Sequence, residues 1–261
     1  ADLERPAVMV NSNRGGPGLG NIAPSQGDYY QATRGGGHGD YRMPVYAPAS
    51  VQELYDITMR AFDVADLYRT PVMILGDGMM GQIMEPIYVR ERPDVEIPPK
   101  DYILDGAEGR PSRIVKSLIL DPSEMEEHNW KLKRKYDLMA HDLPQWEEFM
   151  TDDAKLTIIA YGTAARIAKG AVKRARSDGL KVGLLRPITL WPFPDEAIRS
   201  VAKKHKLFLV FEMSTGKMVD DVRLAVEGKV PCEFYGRPGG VVPIPQEIAR
   251  IIERYWLQKE L

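Results

Sequence analysis

The sequence predicts an α/β protein with two sheet-containing parts, and three observations carry that reading. Short apolar runs, too brief for helices, recur along the chain, and amphipathic helical stretches separate them. In the second half these runs are apolar on both faces, as expected of parallel strands covered on each side. A chain of 261 residues also exceeds one small domain, so about two domains are expected.

Taken in order, PAVMVN (6–11) is a β-branched apolar run and reads as a strand. The next stretch is loop, since nine of the 23 glycines lie between Gly15 and Gly39; a short helix is placed around 27–33. MPVYAP (43–48) is a second strand. Residues 50–69 form a helix, with Ser50 as N-cap, Glu53 three residues on, and one apolar stripe of Leu54, Ile57, Ala61, Val64 and Ala65. PVMILGDG (71–78) is a buried strand ending in a glycine turn.

From about 88 the composition becomes proline-punctuated, as in RERPDVEIPP, and reads as a connector. Ser123 and Glu126 suggest a capping box opening a charged helix, with Glu127 and Lys131 spaced i, i+4; a solvated connecting helix is expected. Strand, helix and strand then alternate: KLTIIAYG, a helix from Thr163, KVGLLRPI, PDEAIRSVAKKH, LFLVFEMS, GKMVDDVRLAVEG, VPCEFYG and a closing helix from Pro245. No internal repeat stands out. The expected divisions are 1–95, a connector 96–152 and a second domain 153–261.

Bulk properties exclude several function classes. Lys and Arg number 35 against 37 Asp and Glu, a net charge of −2, so there is no electrostatic footprint for nucleic acid. No apolar run approaches a membrane span and no signal segment opens the chain. The single cysteine, Cys232, allows no intrachain disulfide and cannot by itself hold an iron–sulfur cluster, which takes four thiolates. A soluble cytoplasmic protein is expected. The sequence opens ADLERPAVMVN, without methionine and at once inside a strand; it is expected to be the later part of a longer polypeptide.

NRGGPGLGNIAPSQGD (13–28) carries the chemistry. Gly18-Leu19-Gly20-Asn21-Ile22-Ala23 fits a loose dinucleotide fingerprint, but Pro24 follows directly and MPVYAP ends without the acid that would bind a ribose. This weakens a stand-alone nicotinamide-dependent dehydrogenase. What remains is Arg14 before Gly15, Gly16, Pro17, Gly18 and Gly20. Bare backbone N–H groups and a planar guanidinium suit a small carboxylate or phosphate. On spacing alone, a solvated arginine beside a flexible turn stays equally open.

No Ser/His/Asp triad and no zinc-ligand spacing is present, so no metal site is expected. Of the four histidines, His128, His141 and His205 read as solvated, while His38 in RGGGHGD shares a region with Arg14. Asp40 and Asp77 sit on glycine turns, where Asp more often bonds its own backbone than does chemistry.

Three stretches together, RGGPGLGNIAPSQGDYYQATRGGGHGDYR, APASVQELYDITMRAFDVADLYRTPVMILGDGMMGQ and RPITLWPFP (186–194), resemble the alpha subunit of 2-oxoacid:ferredoxin oxidoreductases. The resemblance covers essentially the whole chain, with the connector its weakest part. It implies part of a thiamine-diphosphate-binding, pyrimidine-type domain followed by a transketolase C-terminal-like parallel-sheet domain. It implies oxidative decarboxylation of a 2-oxoacid to acyl-CoA and CO2, with coenzyme A as co-substrate and ferredoxin as electron acceptor. Thiamine diphosphate with magnesium would be shared with a beta subunit, iron–sulfur clusters would lie on partner subunits, and gamma and delta subunits are expected. The glutamate that activates the cofactor would lie before this sequence, so no catalytic residue is assigned. Arg14, with Gly15 and Gly16, would hold the substrate carboxylate, with His38 and Asp40 in the active-site vicinity. The 2-oxoglutarate branch carries Ser-Thr and a Thr-Lys pair in this loop; Leu19 and Ile22 stand here instead, which favours an alkyl, branched-chain acid such as 3-methyl-2-oxobutanoate. 2-Oxoglutarate or pyruvate, and a non-catalytic assembly or regulatory subunit of the same fold, are the alternatives. The second domain is assigned to docking and subunit contacts, and Ser214 and Lys217 depart from the family's usual Asn and Gln.

Overall fold

The structure is a computed structural model, and it describes residues 2–91 and 93–261. Its elements follow the predicted alternation: β1 (Ala7–Asn13), α1 (Tyr29–Thr33), β2 (Val45–Tyr46), α2 (Val51–Tyr68), β3 (Pro71–Asp77), α3 (Pro122–Asp142), β4 (Trp146–Phe149), β5 (Leu156–Ile159), α4 (Gly162–Ser177), β6 (Val182–Pro187), β7 (Thr189–Trp191), α5 (Asp195–Ala202), β8 (Leu207–Glu212), α6 (Met218–Val226), β9 (Cys232–Gly236) and α7 (Pro245–Gln258).

Two sheets result. The first has the order β1-β3-β2-β7, and the second β4-β6-β5-β8-β9. β1, β3 and β2 run parallel, as do β6, β5, β8 and β9. Each sheet also carries an antiparallel edge strand, β7 on β2 and β4 on β6. Neither edge strand is predicted from sequence. Both are short, and one lies inside the expected connector while the other continues directly from β6, so no turn signal or apolar period announces them. β4 thereby ties the end of the connector into the second sheet, and β7 returns residues 189–191 to the first.

Packing explains the layers. β5, β6 and β8 are buried at every position, because helices cover both faces. One core joins α4 and α7 to the outer face of the second sheet through residues such as Ile158, Leu184, Ala168 and Ile252. A second holds α2 and α3 on the first sheet, with Ala61, Val64, Ile74, Leu132, Tyr136 and Met139. A third runs between the sheets and includes Tyr29, Val45, Leu75, Tyr161, Leu185, Ile198, Phe208 and Met218.

Three expectations are corrected. α3 starts at Pro122, not inside a Ser123 capping box: Asp121 is the N-cap and accepts from the N–H groups of Ser123 and Glu124 at 2.9 and 3.0 Å, with proline in the first turn where its missing donor costs nothing. α3 is also not a purely solvated connector, because its Leu132, Tyr136 and Met139 are buried in the core of the first sheet. His205 is buried rather than solvated, with Nδ1 against the Thr157 hydroxyl, and burial pushes its imidazole pKa down.

Candidate functional site

Ligands of open parallel sheets bind beyond the carboxyl ends of the strands. Here β1 and β3 end side by side at Asn13 and Asp77, which are register partners. Asp77 is buried, and its carboxylate accepts from the N–H groups of Met79 and Met80 at 3.0 and 3.1 Å, the backbone-bonding role expected of Asp on a glycine turn. Burial raises its pKa against those hydrogen bonds. The Asn13 side chain is 1% exposed, and neither end of its carboxamide has a protein partner among the described residues.

The glycine loop grows from this edge. Its base is closed by an antiparallel bridge between Arg14 and Pro24 and by the Gly15 N–H donating to Ala23 O at 2.9 Å. The Asn21 N–H donates to Gly15 O at 2.9 Å, which folds the tip back over the base. Gly20 is required there: its φ is +47°, and a Cβ would fall 1.8 Å from Gly15 O. The Arg14 guanidinium lies within this fold, donating to the carbonyls of Gly15 at 3.2 Å, Gly18 at 3.0 Å and Asn21 at 3.4 Å, and also to Leu19 O. Four neutral acceptors from its own loop thus surround one cation. Leu19 and Ile22 project outward, 93% and 86% exposed.

The far root of the loop belongs to the second sheet. Gln26 donates from its backbone N–H to Met213 O at 2.9 Å and from Nε2 to Tyr161 O at 2.9 Å, while its Oε1 accepts from Met213 N–H at 2.8 Å. Next along the chain, the buried Tyr29 hydroxyl donates to Asp221 Oδ2 at 2.6 Å, and Arg34 pairs with Asp221 Oδ1 at 2.6 Å. Burial first, and then Asp221, push the Tyr29 pKa well above its ordinary value. The loop therefore bridges the two sheets.

Of the predicted site residues, Arg14, Gly15, Gly16, Leu19 and Ile22 share this one loop. Asp40 lies elsewhere, in a cavity of about 830 Å³ between the second glycine run and α3, lined also by Arg42, Trp130, Lys133, Tyr136 and Trp191. Arg14, Leu19, Ile22 and His38 are not among its walls. Both His38 and Asp40 are exposed. Sequence reasoning missed Asn13, Asn21 and Gln26. An Asn set after a glycine in a turn is a signal for side-chain pairing with backbone, and it applies to Asn21. Among the described residues no group of three His, Cys, Asp or Glu side chains could hold a metal ion, and no helix is long and apolar enough to cross a membrane.

The first sheet with its arginine loop and the second sheet behind it correspond to known domain families. Residues 2–142 match the family described as pyruvate flavodoxin/ferredoxin oxidoreductase, thiamine diP-binding, and residues 154–248 match pyruvate:ferredoxin oxidoreductase core domain II. The chain belongs to the alpha-subunit family of 2-oxoacid:ferredoxin oxidoreductases. Within that family it is 46% identical over 252 residues to ketoisovalerate oxidoreductase subunit VorB of Methanothermobacter marburgensis, covering 97% of this chain and 71% of that protein. It is 36% identical over 279 residues to 2-oxoglutarate synthase subunit KorA of Methanothermobacter thermautotrophicus, covering 97% and 74%. The 2-oxoglutarate:ferredoxin oxidoreductase from Magnetococcus marinus, solved with 2-oxoglutarate, coenzyme A and succinyl-CoA bound, shares the fold at a TM-score of 0.79 and 23% identity. This chain is covered to 97% in that comparison and spans 49% of the solved chain.

Proposed function

We propose that this chain forms the substrate-facing part of an enzyme that oxidatively decarboxylates a branched-chain 2-oxoacid such as 3-methyl-2-oxobutanoate. The single observation that carries the reading is the loop itself. Arg14 is a cation held by neutral carbonyls at the carboxyl end of β1, and the same loop carries the exposed alkyl side chains of Leu19 and Ile22. The substrate carboxylate replaces those carbonyls as partner of the guanidinium, since a charged acceptor bonds a guanidinium more strongly than a neutral one does. Leu19 and Ile22 then face the alkyl group. No lysine lies in residues 13–28 to meet a distal carboxylate. The higher identity to a ketoisovalerate subunit than to a 2-oxoglutarate subunit agrees with this.

Thiamine diphosphate supplies the electron sink for decarboxylation when bound. The donors of this chain suit one side of that group only. The unpaired Asn13 carboxamide fits a site that gains a polar partner on occupation. By the family likeness, the diphosphate end with its magnesium and the clusters would be held by a beta subunit, with gamma and delta subunits completing the complex. In the overall reaction, oxoacid and coenzyme A give acyl-CoA, CO2 and a proton, while two electrons pass singly to ferredoxin. With one thiol in this chain, those electrons leave through a partner.

The test is an anaerobic assay of the native complex, following coenzyme A-dependent viologen reduction with 3-methyl-2-oxobutanoate, pyruvate and 2-oxoglutarate. Preference for the branched acid is expected. Preference for 2-oxoglutarate would overturn the substrate assignment and keep the class; no reduction with any acid, in a complex with intact clusters and cofactor, would favour a non-catalytic subunit. Arg14→Gln removes a charged hydrogen bond of about 1.5–3 kcal/mol, so the apparent KM for the oxoacid rises about 10- to 150-fold. An unchanged KM would remove Arg14 from the site.

A further inference from the structure

We infer that the Gly239–Gly240 turn of the second domain is part of the substrate site, and that Asn21 is the positioning residue through which it sets the Arg14 loop. The inference rests on Arg14 receiving the substrate carboxylate. Asn21 makes four contacts at once. Its backbone N–H closes the loop on Gly15 O at 2.9 Å, and its backbone carbonyl accepts from Arg14 at 3.4 Å. Its side-chain Oδ1 accepts from Ala23 N–H at 3.0 Å. Its Nδ2 donates to Gly239 O at 2.9 Å, across 218 residues of sequence.

The opposing turn is shaped for that approach. Gly240 has φ +96°, and a Cβ on it would lie 2.5 Å from Ala23 Cβ and 3.0 Å from Asn21 Oδ1. Only a residue without a side chain lets the turn sit against the loop at this distance. The turn is itself anchored, since the Arg237 N–H donates to Glu212 O at 3.0 Å and its guanidinium pairs with Glu247 of α7 at 3.1 Å. The loop is thus held at three points: its first root in β1, its second root through Gln26 on the ends of β5 and β8, and its tip through Asn21 on the turn after β9. Without the third point the tip is fixed only by its own backbone and by the Arg14 guanidinium that its carbonyls surround. The second domain then orients substrate as well as docking subunits.

Three variants of the assembled complex test this. Asn21→Ser keeps a short oxygen that can accept from the Ala23 N–H but cannot reach Gly239. Losing one neutral hydrogen bond is expected to raise the KM for the oxoacid about fivefold, with a smaller change in kcat and none in the KM for coenzyme A. Gly240→Ala pushes the turn off the loop and is expected to raise the same KM at least as much. Ala23→Gly in the Gly240→Ala background relieves the collision and recovers part of the loss, a rescue that general destabilisation would not give. Amide hydrogen exchange at residues 15–23 is expected to quicken in both single variants, with the thermal midpoint near that of the parent in Asn21→Ser and lowered in Gly240→Ala, where alanine is strained at φ +96°. If Arg14→Gln raises the KM but Asn21→Ser and Gly240→Ala leave both KM and loop exchange unaltered, the inference is overturned alone. If Arg14→Gln itself is silent, the reading of Arg14 on which it rests fails first.

Discussion

Glu212 has no exposed surface, and its carboxylate collects every donor in reach. Oε1 accepts from the N–H groups of Lys217 and Val219 at 3.2 and 3.0 Å; Oε2 accepts from the Ser214 hydroxyl at 3.0 Å and from Met218 N–H at 3.1 Å. These are the orphan donors at the start of α6, whose N-cap residue provides no side-chain cap of its own. Burial pushes the carboxyl pKa up, and the backbone donors oppose it without cancelling it. Ser214 contributes its hydroxyl to this buried cap, whereas Lys217 contributes only a backbone N–H that any residue but proline would give. Glu212→Gln would keep one acceptor oxygen and turn an NH2 group against N–H donors. Leaving buried donors unsatisfied costs about 1–3 kcal/mol, so a loss of that order is expected in urea unfolding of the complex-free chain. A variant as stable as the parent would mean that water reaches these donors.

At the scale of elements, α3 shows what joins the connector to the first sheet besides apolar contact. Glu4, just before β1, pairs with Lys135 at 2.9 Å and with Lys131. Burial works against the charged form, yet the two lysines outweigh it and hold the Glu4 carboxyl at about 2, below its ordinary 4.5. A depressed carboxylate stabilises the fold above its unfolded pKa and loses that contribution as pH falls from about 4.5 to about 2. After discounting for partial exposure, the contribution is about 1–2 kcal/mol. Glu4→Gln is therefore expected to cost that much at pH 7 and nothing near pH 2, as read from denaturant midpoints across the pH series. An equal deficit at both pH values would assign the effect to packing. The same element shows how far sequence carries. The apolar stripe of α2 and the largely apolar runs of β5, β6 and β8 are strong local periods, and those elements lie where they predict. Lys131 was legible only as a partner for Glu127 within its helix; its pairing with Glu4 is long-range and leaves no local trace. β4 and β7 are hidden for the same reason, being made strands by partners rather than by composition. For the candidate site, the folding of the Arg14 loop was legible because glycines and one arginine are a local pattern. The placing of Asn21 and Gln26 across two domains was not.

At the scale of the whole molecule, the question is what holds two sheets in one arrangement so that a loop strung between them keeps its shape. The shared apolar core supplies area but little direction. Direction comes from Arg186 of β6, whose side chain is 5% exposed. Its guanidinium grips Glu53 of α2 through two hydrogen bonds, at 2.6 and 2.9 Å, and Glu147 of β4 through Nε at 2.9 Å. Glu53 serves both domains, because its Oε2 also accepts from Ala49 N–H at 2.8 Å at the start of α2. Glu147 is held from a second side by Lys169 of α4; burial pushes its carboxyl up, but Lys169 and Arg186 together bring it below the usual range. Arg186→Met would fill the space and remove the cation, leaving Glu53 without its partner and Glu147 with Lys169 alone. Breaking a buried pair from one side costs about 3–5 kcal/mol, and partial exposure of both glutamates puts the expected loss at the lower end. Arg186→Lys restores charge without the planar fork and should recover only part. Denaturant midpoints of the three proteins, compared with amide protection at Gln26 and Met213, separate the possibilities. If the midpoint falls and protection at that junction falls with it, the arginine holds the sheets together. A lowered midpoint with the junction still protected would make the network a local brace of β4, and the inter-sheet core alone would fix the loop.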